Sequence, residues 1–220
     1  VDAMAAALAM VTREAIQTYG ALPDDVVIST PARWTSRQRQ GLRTAATRAG
    51  LGTVRLVTGA ESIVNEHRSN HQDMPAGTVA VVCRLADTIG ELVVVQREPA
   101  GYDVLAALDL GELGETPGAS VVEQAATALD EARQAGAFAN GQVAAVLCDA
   151  PAATMPALAA ALANVPGLSV PADQVGELAA AFGAARTVAD TPTGPAARPG
   201  RDVALASVTA AVAWAVAAIL

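Results

Sequence analysis

Few residues in this chain could carry chemistry, and its histidines, cysteines and one serine are the first candidates. His67 and His71 lie close to Asp73 in the segment HRSNHQD, a spacing that loosely resembles a metal site. We interpret this segment as a polar loop with exposed histidines, because no second cluster of ligand residues accompanies it. The segment GAESIV around Ser62 lacks the second glycine of a nucleophile elbow, so a serine hydrolase is not supported.

Composition excludes several further classes of protein. The 220 residues include two cysteines, too few for a disulfide framework or a structural zinc site. All 14 basic residues are arginines, and the formal net charge of −8 argues against binding to nucleic acid. Hydrophobic residues make up 52% of the chain and aromatic residues only 3%, so alanine, valine and leucine must form the core.

The order of predicted elements indicates an α/β fold with a mixed sheet. Short β-branched runs at 26–30 and 54–58 predict buried strands, each followed by a helix. Three consecutive strands with short turns then predict an antiparallel meander, and a strand followed by two helices closes the domain. The predicted ranges are 78–83, 91–96 and 102–108 for the meander, 121–135 for a helix, 143–148 for the last strand, and 155–163 and 173–186 for the last helices.

The end of the chain differs in composition from the rest. Residues 191–202 are rich in proline and glycine and predict a linker. Residues 203–220 contain no charged side chain, and as a helix they would span roughly 27 Å, close to the roughly 30 Å of a bilayer core. Arg198 and Arg201 precede this segment and would place the preceding domain on the cytoplasmic side. A membrane anchor and a buried terminal helix both remain open.

One segment resembles a known family. Residues 26–57 contain a strand ending in proline and alanine, then Gln-Arg-Gln opening a helix that finishes with Ala-Gly-Leu. This order and spacing resembles the ATPase domain of the seventy-kilodalton heat-shock (DnaK-type) chaperones, which belong to the actin-like superfamily. The matching residues are Pro31, Ala32, Trp34, Gln38, Arg39, Gln40, Ala49, Gly50 and Leu51.

The resemblance implies an actin-like, ribonuclease-H-like fold of two lobes with mixed sheets. It assigns residues 1–74 to the remainder of the first lobe and residues 75–190 to the second. Only about thirty residues separate Gly114 from the strand at Val143, where the family inserts the subdomain that grips adenine. The family's first phosphate hairpin would precede Val1, and the missing initiator methionine suggests a piece of a longer protein.

The positions that match the family's nucleotide loops have lost the residues that bind phosphate. The family's second phosphate hairpin reads Asp-Leu-Gly-Gly-Gly-Thr, and its adenosine loop carries Gly-Gly, which here falls on Ala150-Pro151 after Asp149. Side chains replace the glycines that allow close approach of the backbone, and Pro151 has no N–H to donate. The hairpin's counterpart is Cys83, Arg84, Leu85, Ala86, Asp87 and Thr88.

The family's catalytic glutamate falls on Gly59, with Glu61 two residues further on. The resemblance therefore implies a pseudo-ATPase with no catalytic residue, no metal and no cofactor. The alternative is an ATP- and Mg²⁺-binding chaperone or ATPase whose first phosphate loop lies upstream of Val1.

The resemblance also implies roles for two further pairs of residues. Pro31 and Arg39 match positions that relay the nucleotide state in the chaperones, although a strand-ending proline and a helix-pairing arginine explain them more simply. Cys83 and Cys148 end strands that are neighbours in the family's fold, which implies Cα atoms within about 7 Å, compatible with a disulfide. Two small buried hydrophobic residues are the alternative.

A second resemblance concerns the whole architecture. An alanine-rich, lysine-free relic of a heat-shock ATPase with a hydrophobic terminal segment is similar to proteins encoded beside type VII secretion systems in actinobacteria. This resemblance implies a cytoplasmic domain, tethered to the cell membrane, that binds a protein partner of the secretion machinery. A third reading is an α/β domain that stabilises a membrane complex without specific clients.

Overall fold

The computed structural model describes residues 1–22, 25–70, 74–86, 89–111 and 118–189. These residues form two compact units: Val1–Glu66 together with the described residues 178–189, and His67–Glu177. The helix that begins at Ala179 therefore belongs to the first unit, whereas the sequence grouped it with residues 75–190. The predicted linker at 191–202 and the hydrophobic segment at 203–220 lie outside the described residues.

Six helices and seven strands are found in the described residues. The helices are α1 (Asp2–Tyr19), α2 (Ser36–Arg48), α3 (Gly59–Asn70), α4 (Ala119–Gln134), α5 (Met155–Ala163) and α6 (Ala179–Ala189). The strands are β1 (Val26–Thr30), β2 (Val54–Thr58), β3 (Val79–Ala86), β4 (Ile89–Glu98), β5 (Gly101–Gly111), β6 (Val143–Asp149) and β7 (Ala172–Gln174).

The first unit is built around two parallel strands. β1 and β2 pair from Val26 opposite Val54 to Thr30 opposite Thr58. Helices α1 and α2 bury Leu8 and Leu42 against Ile28 of β1, and α6 packs against β1 as well. A capping box starts α2, in which the Thr35 side chain accepts from the backbone of Gln38 and the Gln38 side chain accepts from the backbone of Thr35.

The second unit is a five-stranded mixed sheet with strand order β5-β4-β3-β6-β7. Strands β3, β4 and β5 form the predicted antiparallel meander, while β6 runs parallel to β3 and β7 runs parallel to β6. Helices α4 and α5 pack on one face and bury Leu129 and Leu158 against the sheet. The predicted α/β class with a mixed sheet is confirmed.

The prediction of one continuous helix from 173 to 186 is wrong. Residues 172–174 form β7 instead, and α6 begins only at Ala179. Pairing with Val146, Leu147 and Cys148 of β6 holds these residues extended, a tertiary effect that helix periodicity does not report. Gly176, a poor helix former, lies between the two elements.

Membrane crossing is not seen in the part of the chain that the structure describes. There, no helix combines the length and the apolar character that a bilayer span requires.

Candidate functional site

The site suggested by the sequence lies where β3 and β6 end. These strands are parallel, so their carboxyl ends lie at the same edge of the sheet. In their register Cys83 pairs with Cys148 and Arg84 pairs with Asp149. The structure therefore brings together the first residues of the predicted phosphate-loop and adenosine-loop counterparts. Asp87 and Thr88 lie outside the described residues, and Ala86 is the last residue of β3.

The two thiols are direct neighbours on one face of the sheet. Adjacent strands are about 4.8 Å apart, so the register of Cys83 with Cys148 confirms the expectation that their Cα atoms lie within about 7 Å. Both cysteines are free and fully buried in the core beneath α4 and α5.

Burial determines the chemistry of the two thiols. Burial raises the pKa of Cys83 well above its usual value, and the nearby Cys148 adds to the effect. Burial likewise raises the pKa of Cys148 to about 12, with Asp173 and Asp149 adding to the increase. The thiolate is the nucleophile and the metal ligand of cysteine, so both side chains behave at neutral pH as small hydrophobic residues.

Arg84 lies on the opposite face of β3 from Cys83, because successive side chains of a strand alternate. Its Nη1 donates to Oε1 of Glu91 at 3.2 Å, and its Nε donates to Oδ2 of Asp149 at 3.3 Å. The side chains of Arg84, Glu91 and Asp149 are 13%, 1% and 12% exposed. The guanidinium is therefore held between two carboxylates of the chain's own sheet, an arrangement we call the Arg84 triad.

Sequence reasoning missed Glu91. It is fully buried on β4 and pairs in register with Arg84. The available signal was a carboxylate directly before the apolar run LVVV of a predicted buried strand. A buried charge needs a partner of opposite sign, and Arg84 is the arginine at the matching position of the neighbouring strand.

The other positions that match the family's nucleotide loops are packed in the core or take part in the hydrogen bonds of a turn. Leu85 is fully buried and Ala150 is 8% exposed, both in the core of the second unit. The carbonyl of Ala150 accepts from Nε2 of Gln174 at 3.3 Å, and the carbonyl of Pro151 accepts from the backbone of Thr154 at 2.8 Å. The segment after β6 thus closes into a turn that leads into α5.

Glu61 is held at the start of α3. Its Oε2 accepts from the backbone N–H and from the hydroxyl of Thr58, each at 2.7 Å, and its own N–H donates to that hydroxyl. These are the reciprocal bonds of a capping box, which satisfy N–H groups at the first turn of a helix. Glu61, the candidate substitute for the glutamate replaced by Gly59, therefore has a structural role.

Pro31 and Arg39 make local contacts within the first unit. The carbonyl of Pro31 accepts from the backbone of Trp34 at 3.2 Å, directly after β1. Nη2 of Arg39 donates to the carbonyl of Ala32 at 3.2 Å and ties α2 to the same turn. These are the contacts of a strand end and a helix start, and the relay role stays a prediction.

Part of the histidine segment lies outside the described residues. His71 and Asp73 are not described, whereas His67 lies in the last turn of α3. Within the described ranges, no group of three histidine, cysteine, aspartate or glutamate side chains is placed to hold a metal ion.

We compared the chain with known protein families and with curated proteins. A scan against protein-family models and a search of curated protein sequences found no match to this chain. By itself, the chain has a mixed α/β fold in which strands β3, β4 and β6 carry the two buried thiols and the Arg84 triad.

Proposed function

We propose that this chain is a degenerate actin-like, heat-shock-related domain that binds a protein partner and does not hydrolyse ATP. In this proposal it serves as an accessory module of a membrane-associated type VII secretion system. It lies on the cytoplasmic side, and residues 203–220 tether it to the membrane. The mixed α/β fold is compatible with the second lobe of an actin-like protein, and the sequence resemblance supports the superfamily.

The observation that carries the proposal is the Arg84 triad. A phosphate loop offers backbone N–H groups and a cation to the anion, and it relies on glycines for close approach. At the corresponding position, Arg84 is already paired with Glu91 and Asp149. The triad carries two negative charges against one positive charge, so a triphosphate brought here would meet net repulsion.

The packing at this edge of the sheet also opposes nucleotide binding. Leu85 and Cys83 fill the core beneath the helices, and the segment after Asp149 forms a turn that begins with a proline. Opening this edge to a nucleotide would expose buried apolar surface and break the triad.

Isothermal titration of the full-length protein with Mg-ATP tests the loss of nucleotide binding. We expect no binding heat at about millimolar nucleotide, which corresponds to a binding free energy weaker than about −4 kcal/mol. A DnaK-type chaperone titrated in the same buffer serves as the positive control. Micromolar affinity, or steady release of phosphate by the protein, would overturn the proposal in favour of a true ATPase.

The accessory role has its own test. Deleting the gene from an actinobacterium that carries a type VII system should reduce the amount of secreted type VII substrates in the culture filtrate. Complementation with the full-length protein should restore secretion, and a version lacking residues 203–220 should restore less. Normal secretion after deletion would overturn the assignment to secretion. Carbonate extraction of membranes from the same strains tests the tether directly.

A further inference from the structure

A groove in the second unit lies away from the Arg84 triad. It has a volume of about 590 Å³ and lies between β5 and the end of α4. Its apolar part consists of leucines on β5 and alanines at the end of α4, and its polar part consists of two glutamines and a glutamate. The lining side chains used below are Leu105, Leu108, Ala132, Ala135 and Glu131.

The shape of β5 contributes to the groove. The pairing of β4 with β5 shifts between Val94, opposite Ala106, and Val95, opposite Val104. Leu105 is therefore an extra residue in β5, a β-bulge. As a result, two consecutive side chains, Leu105 and Ala106, both line the groove instead of alternating across the sheet.

The groove continues into a sheet edge. β5 is the first strand in the order β5-β4-β3-β6-β7, and among the described residues only β4 pairs with it. The strand is 11 residues long, and Asp103, Ala107 and Asp109 on it are exposed. An edge of this length presents backbone N–H and C=O groups to which an extended segment can add as a sixth strand.

The acidic side chains near this edge favour a basic segment over a second copy of the chain. Glu131 lines the groove, and Asp103 and Asp109 lie exposed on the strand. The two arginines near the groove are already engaged: Arg97 lies over the ring of Tyr102 and donates to the carbonyl of Gly101, and Arg133 of α4 pairs with Asp130. A second copy of this chain would bring the same acidic side chains together, which is destabilising across a strand pair. A basic segment would be attracted.

We propose that the outer edge of β5 and its groove bind an extended segment of a partner protein in which arginine or lysine alternates with aliphatic residues. The backbone of the segment pairs with β5, an aliphatic side chain enters the groove against Leu105 and Ala135, and a basic side chain meets Glu131. This inference rests on the proposed function, because it states the chemistry of the partner that the module would bind.

The test uses a fluorescein-labelled nonapeptide that alternates arginine with valine, measured by fluorescence anisotropy against the full-length protein. We expect saturable binding that weakens with added salt. The double variant Asp103→Arg with Glu131→Arg should weaken binding by about tenfold or more. Ala135→Trp, which fills the groove from an exposed position, should do the same. The matched control is Glu123→Arg, an exposed position of α4 that does not line the groove.

Further measurements make the outcome decisive. A peptide with N-methyl groups at alternate residues cannot complete the strand pairing and should bind far more weakly. Equal weakening by Glu123→Arg and by Glu131→Arg would mean general attraction to an acidic protein and would overturn the proposal. Light scattering that finds the protein dimeric and the double variant monomeric would also overturn the proposal, because the occupant would then be a second copy of this chain.

Failure here is distinguishable from failure of the proposed function. If the protein binds neither the peptide nor Mg-ATP, the proposal for the β5 edge is overturned and the pseudo-ATPase proposal stands. Mg-ATP binding overturns the pseudo-ATPase proposal whatever the peptide does.

Discussion

Arg84 and Asp149 lie opposite each other on adjacent parallel strands, 65 residues apart in the chain, with Nε of the arginine 3.3 Å from Oδ2 of the aspartate. Glu91 completes the triad from the strand on the other side. Both side chains of the Arg84–Asp149 pair are largely buried, so the pair is protected from the screening that weakens surface ion pairs.

Replacing Arg84 with methionine should strongly destabilise the second unit. The substitution leaves the carboxylates of Glu91 and Asp149 together in a buried site without their cation, and removing one member of a buried ion pair destabilises a protein by about 3–5 kcal/mol. Urea unfolding followed by circular dichroism measures the change. The control is Arg133→Met, which breaks a more exposed pair with Asp130 and should change stability far less, because solvent screens exposed ion pairs. Equal effects of the two variants would contradict the triad.

Cys83 and Cys148 should resist modification in the folded protein. Both thiols are fully buried, and burial raises the pKa of each above its ordinary value. With an aromatic disulfide reagent at pH 8, we expect almost no release of the coloured thiolate from the native protein and release of two equivalents after denaturation in urea. Fast reaction of either thiol in the native state would show that the strand ends are open.

Stability should fall at alkaline pH because of the same thiols. In the unfolded chain a cysteine loses its proton near its ordinary pKa of 9.0, whereas folding raises the pKa of Cys148 to about 12. Between these pH values the folded state holds a proton that the unfolded state has lost. The contribution of the thiol to the free energy of unfolding is therefore fully present below about pH 9 and declines as the pH rises. The expected slope is about 1.4 kcal/mol per pH unit for each thiol.

The alkaline experiment is simple in this chain because it has no lysine and only two tyrosines. Free energies of unfolding measured in urea from pH 8 to pH 11 give the slope for the natural protein. The double variant Cys83→Ala with Cys148→Ala should show a clearly shallower decline, whatever its stability at pH 8. An unchanged slope would assign the alkaline loss to other groups.

Gly41 in the interior of α2 and Gly183 in the interior of α6 should respond to alanine in opposite directions. A Cβ on Gly183 would overlap the carbonyl of Ser62, where α6 crosses the backbone of α3. Gly183→Ala should therefore destabilise the protein by about 1–3 kcal/mol, the usual effect of overpacking. A Cβ on Gly41 would meet only Val1, at an ordinary 3.9 Å. Gly41→Ala should stabilise it by up to about 1 kcal/mol, because alanine favours the helix. Thermal unfolding of the two variants side by side decides the matter.

The sequence by itself predicted those elements whose signals are local. Short runs rich in apolar residues located β1, β2 and β6, because strands that pack in a core need apolar side chains. The capping box of Thr35 and Gln38 at the start of α2 is likewise a local feature, because it lies within four residues. The buried thiol pair was anticipated through a family resemblance, not from any property of the two cysteines.

Tertiary structure decided what depends on register between distant segments. Residues 172–174 became a strand because the edge of β6 was free to pair with them, against a helix prediction. Glu91 received its partner only when β4 was aligned beside β3, and Asp149 only when β6 was aligned on the other side. Local patterns report which face of an element is apolar. Which charge lies opposite which is determined by strand order and alignment, and these arise from the packing of the whole unit.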